Sequence, residues 1–181
     1  MQEAILKARD QIVLNPDELP SSWYNIVPDL PGQLPPPMDP EEGPSRLEFL
    51  SRVLLKHCLQ QETSSDRWLS IPHPVQDLYR QAGRPRPLYR ARRLEQHLNT
   101  PARIYYKRED LSPTGSHKVN TALAQAYYAA EEGCEGVSTE TGAGQWGTAL
   151  AYAASLQGLK CVIFWVRSVY DWKPDRRVLM Q

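Results

Sequence analysis

The chain has 181 residues, enough for one ordinary core or for one domain plus an extension. Lysine plus arginine (21) balances aspartate plus glutamate (21), so no strong field is available to hold nucleic acid or an anionic membrane. The three cysteines, Cys58, Cys134 and Cys161, stand far apart without a Cys-x-x-Cys, which points away from a disulfide framework and from a zinc site.

Residues 1–14 mix Glu3, Lys7, Arg9 and Asp10 among apolar residues, which is not a signal peptide; a strand or short helix is expected over 1–13. Prolines then dominate residues 15–44: Pro16, Pro20, Pro28, Pro31, Pro35, Pro36, Pro37, Pro40 and Pro44. Each fixes its own φ and removes a donor, so no regular element is expected there. Trp23, Tyr24, Ile26, Val27 and Leu30 nevertheless cluster in this stretch, as they rarely do in a disordered tail. An extended arm over 1–44, anchored by those apolar groups, is one reading; a flexible linker is the other.

A helical segment is expected over 45–100. Leu47, Leu50, Val53, Leu54 and Cys58 recur at helical spacing, which predicts one helix over 44–60 with Ser45 as its N-cap. Residues 62–66 are a polar break. One or two helical turns over 75–81 end at Gly83-Arg84-Pro85. Residues 87–98 read as a second helix, opened by Pro87, with Leu94 and Leu98 four apart and His97 at the surface.

From 101 to 181 the pattern is regular. Residues 103–107 read as a strand. A helix over 116–132 has Val119, Leu123, Ala126, Tyr127 and Ala130 on one face and Gly133 at its end. A strand over 136–140 follows, then an alanine-rich helix over 145–157 closed by Gly158. Residues 160–166 are β-branched and apolar, like a strand buried on both faces, and too short to span a bilayer. Pro174 opens a last helix with Val178, Leu179 and Met180. This β-α-β-α-β-α order is the pattern of a parallel sheet with helices on both faces, an α/β fold. Right-handed crossovers place the two glycine loops on one sheet edge, where ligands bind. The chain stops within an apolar helical face, so a fragment is expected, marginally stable and catalytically inactive alone.

Lys118 falls in the first turn of its helix, where the positive end of the macrodipole favours the neutral amine that condenses with a carbonyl. Gly115 permits a tight turn before it and Ser116 is a candidate cap. By position alone it is equally an ordinary surface lysine. Glu140 ends a strand just before Thr141-Gly142-Ala143-Gly144 and suits general acid or base work, or equally a capping role. The amides of Gly142, Ala143, Gly144 and Gln145, with the helix start, make a nest for an anion such as a carboxylate. The same loop, Gly142-x-Gly144-x-x-Gly147, is also a literal dinucleotide fingerprint, which keeps an NADP-dependent oxidoreductase open through Arg167. The next strand ends Val166-Arg167-Ser168 without the acid an NAD ribose needs, and that reading leaves Lys118 and Glu140 idle.

Lys107-Arg-Glu-Asp-Leu-Ser-Pro-Thr-Gly-Ser-His-Lys118-Val-Asn120 resembles the cofactor-lysine segment of fold type II pyridoxal-phosphate enzymes, in the form found in tryptophan synthase β chains. Thr139-Glu-Thr-Gly-Ala-Gly-Gln-Trp-Gly147 is similar to the β-chain loop that holds the amino-acid carboxylate. Trp146 and the stretches Pro20-Ser-Ser-Trp-Tyr-Asn-Ile-Val-Pro-Asp-Leu-Pro31 and Leu34-Pro-Pro-Pro37 resemble the second, stand-alone type with a long N-terminal arm. The resemblance covers nearly the whole chain. It implies pyridoxal 5'-phosphate held by Lys118 as an internal aldimine, with His117 near the phosphate. It implies that Glu140 assists loss of the L-serine hydroxyl and guides indole onto the aminoacrylate. Thr141, Gly142, Ala143, Gly144 and Gln145 would receive the carboxylate; Asn120 has no assigned chemistry. The family's phosphate loop and pyridine-nitrogen partner are expected beyond Gln181. The implied protein is a cytoplasmic homodimer with at most weak α-subunit contact and no metal, nucleic-acid or membrane partner. A non-catalytic truncated chain that binds a partner is the alternative.

Overall fold

In the computed structural model, which describes residues 10–32, 34–35 and 38–181, fifteen strands and helices follow one another. The arm and the segment after it hold β1 (Gln11–Ile12), β2 (Ser22–Tyr24), α1 (Arg46–Val53), α2 (Lys56–Glu62), β3 (Trp68–Ser70) and α3 (His73–Gln81). Then come β4 (Leu88–Arg90), α4 (Arg92–His97), β5 (Tyr105–Lys107) and α5 (Lys118–Glu131). The last stretch is β6 (Gly136–Thr141), α6 (Gln145–Leu156), β7 (Lys160–Trp165), α7 (Arg167–Trp172) and α8 (Pro174–Met180). Residues 1–9 of the expected first element, and Pro36 and Pro37 of the arm, lie outside the described residues.

The core is an α/β unit. β6 and β7 pair in parallel, from Gly136 opposite Lys160 to Thr141 opposite Trp165, with α6 as the crossover. α5 and α6 pack along each other, and both carry fully buried alanines: Ala122, Ala126 and Ala129 on one, Ala149, Ala153 and Ala154 on the other. Alanine costs little rotamer entropy and lets helix axes approach closely. Leu123, Val119 and Val75 are the largest fully buried side chains around that contact. Gly133, at φ +73°, ends α5, and Cys134 N–H donates to Ala129 O at 3.0 Å.

β7 is covered on one face. Cys161, Ile163 and Trp165 turn inward, while Val162 and Phe164 are 54% and 66% exposed. The burial expected on both faces is therefore present on one. The short helix α7 between β7 and α8 has no signature in the sequence pattern.

The strand at Tyr105–Lys107 belongs to a different sheet from the one expected. β4 pairs antiparallel with β5, Leu88 opposite Lys107, and β1 pairs antiparallel with β4. The 87–98 stretch is thus a strand followed by a short helix. Cross-strand pairing claims Leu88–Arg90 for the sheet and leaves the helix only Arg92–His97, where Leu94 and the C-cap Leu98 keep their helical spacing but end up exposed. Tyr89 meets Tyr106 across the pair at 6.0 Å, and Arg90 grips Glu95 through two nitrogens, each bond at 2.9 Å.

The arm also carries a strand between Pro20 and Pro28: β2 pairs antiparallel with β3, Trp23 opposite Leu69. Leu19 and Trp23 pack on the core, whereas Tyr24, Ile26 and Val27 stay exposed. The single helix expected over 44–60 is two. Ser45 caps the first, its Oγ accepting from Glu48 N at 3.2 Å, but Leu47, Val53 and Leu54 remain in water. The break at Leu54 and Leu55 has a tertiary cause. Glu132, just past the end of α5, accepts from Lys56 N at 3.0 Å and His57 N at 2.9 Å, and so caps α2. His57 Nδ1 closes on the same carboxylate at 2.9 Å and its ring stacks on Tyr128. No helix among the described residues is long and apolar enough to cross a membrane.

The Glu132 cap is pH-sensitive in one direction. Burial pushes its pKa up, but the backbone N–H groups of His57 and Lys56 and the His57 ring outweigh that and hold it below the ordinary glutamate range. A depressed carboxylate stabilises the fold above its unfolded pKa and loses that contribution as pH falls through the folded value. Glu132→Gln is expected to cost about 1 kcal/mol at neutral pH, with the difference from the parent shrinking in acid. Urea denaturation of both proteins at neutral pH and below pH 4 checks this; a difference that does not change with pH would refute it.

Candidate active site

The lysine loop is built before the lysine is reached. A 3-10 turn over Glu109–Leu111 follows β5. Ser112 then braces the loop from its far side: its Oγ accepts from Ser116 N and donates to Ser116 O, both at 2.8 Å. Ser116 is therefore held, rather than acting as the expected cap. The N-cap position falls to His117, whose side chain makes no capping bond. Asn120, two residues past Lys118, accepts from Arg86 Nη1 at 3.1 Å and donates to Glu109 Oε2 at 3.2 Å. Arg86 pairs with Glu109 at 2.9 Å and donates to Ala82 O at 2.6 Å. This network clamps the first turn of α5 from below.

Lys118 itself is half-buried, and its amine has no hydrogen bond or ion pair to a described residue. His117 and Glu140 are exposed and likewise without such partners. Glu140 is the penultimate residue of β6, where alternation turns Thr139 and Thr141 to the opposite face. A four-residue link reverses the chain between α5 and β6, and α6 starts right after β6. The N-termini of α5 and α6 and the C-terminal end of β6 consequently share one end of the unit.

The second loop is fastened by two indoles. Trp146 Nε1 donates to Thr139 Oγ1 at 2.7 Å, and Trp165 Nε1 donates to Gly142 O at 2.8 Å. Thr141 is buried, and its Oγ1 accepts from Gly147 N at 3.2 Å, so its hydroxyl serves the helix start. Gly142 and Ala143 are exposed, Gln145 is half-buried, and Gly144 adopts the left-handed conformation at the N-cap. The N–H groups of Ala143, Gly144 and Gln145 have no acceptor among the described residues. That is a row of donors at a helix N-terminus.

The glycine spacing has a packing cause. A Cβ on Gly147 would stand 2.9 Å from both Ile163 Cγ2 and Thr141 Cγ2, so this glycine lets α6 lie close on the sheet. Arg167, the residue a 2'-phosphate would need, is exposed and pairs with Asp171 at 3.2 Å. Among the described residues no group of three or more His, Cys, Asp or Glu side chains is placed to hold a metal ion.

The residues present fit a carbonyl cofactor with a polar substituent. The Lys118 amine is uncommitted, and the hydroxyls of Thr114 and Ser116, in the loop just ahead of it, are buried without a hydrogen-bond partner. Buried hydroxyls are normally satisfied, so two orphans in one loop mark a place where a polar ligand would find partners after a small shift. Arg86, Glu109 and Trp165 are the residues that sequence reasoning passed over. Glu109 lay inside the lysine motif and Trp165 at a strand end facing the second loop. Arg86 had no local signal beyond its place after the glycine that ends α3.

Residues 79–181 match the family model described as pyridoxal-phosphate dependent enzyme. The chain is 56% identical over 172 residues to tryptophan synthase beta chain 2 of Methanothermobacter thermautotrophicus, covering 95% of this chain and 40% of that protein. It is 54% identical to tryptophan synthase beta chain 1 of Sulfurisphaera tokodaii, covering 93% of this chain and 40% of the relative. Against tryptophan synthase beta chain 2 of Pyrococcus furiosus the identity is 52%, over 94% of this chain and 39% of the relative. The chain thus spans about 40% of the length of these curated relatives.

The two loop glycines separate a required position from a free one. A Cβ on Gly144 would lie 2.5 Å from Trp165 Cζ2 and 2.9 Å from Arg176 Cδ, at a φ of +84°. One on Gly142 meets nothing within 4 Å. Gly144→Ala is expected to cost about 1–3 kcal/mol or more, and Gly142→Ala no more than about 0.5 kcal/mol. Thermal denaturation of the two variants checks the order; equal losses would contradict it.

Proposed function

The chain belongs to the pyridoxal-phosphate dependent enzymes, and from that premise we propose that it forms part of a tryptophan synthase β chain, which replaces the hydroxyl of L-serine by indole to give L-tryptophan and water. The observation that carries this is an uncommitted lysine in the first turn of α5 and an uncommitted glutamate at the end of β6, on one end of the unit beside a row of open amides. When bound, pyridoxal phosphate supplies an electron sink for negative charge at the serine α-carbon.

Lys118 would hold the cofactor through its amine and, once released, take the proton from the serine α-carbon and later return it to the product. His117 would stand beside the phosphate. The amides of Gly142, Ala143, Gly144 and Gln145 would receive the serine carboxylate, with Thr141 holding the start of α6 beneath them. Glu140 would give a proton to the departing serine hydroxyl, so that the Cβ–O bond breaks with loss of water. It would then take up the proton that indole releases as the new carbon–carbon bond forms. The protonation states of Glu140 before and after the two half-reactions are the same, so it turns over without a further acid or base. The reading also carries a homodimeric, cytoplasmic protein with at most weak contact to an α subunit.

Two substitutions test these roles, in the protein that carries this chain at the length of its relatives. Lys118→Ala is expected to abolish the absorbance of covalently held cofactor together with turnover. Borohydride reduction and peptide mapping of the parent should label Lys118; a label on another lysine removes the assignment. Glu140→Ala should retain the bound-cofactor absorbance while tryptophan formation from serine and indole falls by about 10²–10⁴-fold. Near-normal turnover in that variant would take Glu140 out of the mechanism.

A further inference from the structure

We propose that Trp165 is a positioning residue for the carboxylate-binding loop: its indole N–H fixes the 142–143 peptide so that the Ala143 N–H is presented to the ligand. The proposal rests on the reading of that loop as the receiver of the serine carboxylate. In a trans peptide the C=O and the following N–H point in opposite directions. Trp165 Nε1 holds Gly142 O at 2.8 Å, so the Ala143 N–H is turned away from Trp165 and has no acceptor of its own among the described residues. Gly142 and Ala143 are exposed, and Gly142 O accepts from no other described group. Without the indole donor the peptide would hydrogen-bond to water and swing with it, and a donor aimed in advance would become one aimed only on binding.

The indole is itself held in place. Trp165 is the last residue of β7, in register with Thr141. Its ring lies against Gly144, where a Cβ would come within 2.5 Å of Cζ2. Tyr170 of α7 meets it edge-on, at 5.5 Å between centroids and 88° between planes, and Arg177 of α8 lies over Tyr170 at 4.7 Å. The helix that follows β7 thereby braces the donor that braces the loop. Trp165 touches none of the groups assigned to proton transfer, so its effect belongs to substrate binding and not to the chemical steps.

The test uses the cofactor-loaded protein at the length of its relatives and follows the cofactor absorbance as ligand is added. Trp165→Phe keeps a ring against Gly144 and removes the donor. It is expected to weaken L-serine binding by up to about ten-fold, the range of one net hydrogen bond. KM for serine should rise in step while kcat stays within about two-fold. L-Serinamide, which has no carboxylate, should bind equally to parent and variant. If the parent does not distinguish serine from serinamide, the loop does not receive a carboxylate and the reading beneath the proposal fails. If the parent distinguishes them and Trp165→Phe binds serine like the parent, the positioning role is overturned while the reading stands. Should Trp165→Phe misfold, 3-benzothienylalanine at position 165 preserves shape without the N–H, and the same serine and serinamide titrations decide on that variant.

Discussion

The Arg86 guanidinium, its side chain only 1% exposed, must be neutralised and hydrogen-bonded where it lies, and three separate segments are fixed in doing so. Burial pushes its pKa down; the Glu109 carboxylate works against that, and neighbouring Arg84 adds to it. Glu109 comes from the turn after β5, Ala82 O from the end of α3, and Asn120 from the first turn of α5. Removing one member of such a set leaves a buried charge unpaired, which is far costlier than the pair is stabilising. The geometry is therefore rigid for a reason independent of any ligand. Lys118 sits two residues from Asn120 and inherits that rigidity, while its own amine is left uncommitted.

The two loops that meet at the end of the α/β unit are secured by different means. Charge and a serine bracket hold the first. Two indole N–H groups and a threonine hydroxyl hold the second. Beneath both, the alanine contact between α5 and α6 sets the spacing of their N-termini, and Gly147 lets α6 lie close on the sheet. A catalytic geometry needs placement to within a fraction of an ångström, and here neither loop depends on the other for its shape.

The parts of this architecture that were legible in the sequence are those with local causes. Residues 118–131 and 145–156 have helical apolar periodicity and terminal glycines, and both helices are present. The strands around Val137 and Ile163 are β-branched and lie between turn signals, and they pair in parallel. Both loop motifs have local causes too, because a tight glycine-bearing link from a strand into a helix is set by backbone geometry within a few residues. What escaped has causes far away in sequence. Leu88–Arg90 is a strand because Tyr105–Lys107 pairs with it, and the helix that Pro87 was expected to open begins only at Arg92. The break between α1 and α2 has no glycine or proline; its cause is a carboxylate at Glu132. The role of Asn120 depends on an arginine 34 residues away. The open face of β7 could not be read from composition, since an apolar strand looks the same with one face covered or two.

The pairing pattern also orders the assembly of the molecule in time. From α5 to β7 each element packs on its immediate neighbours, so little loop entropy is lost before the contacts form. The arm is different. β2 must find β3 across the whole of α1 and α2, and β1 must find β4 from farther still. Such long closures come late in folding and, in strands of two or three residues, open early. The proline-rich arm is thus a late-closing clasp over a body already formed. In hydrogen exchange its amides would report local openings, while those of β6 and the buried turns of α5 and α6 would report global unfolding.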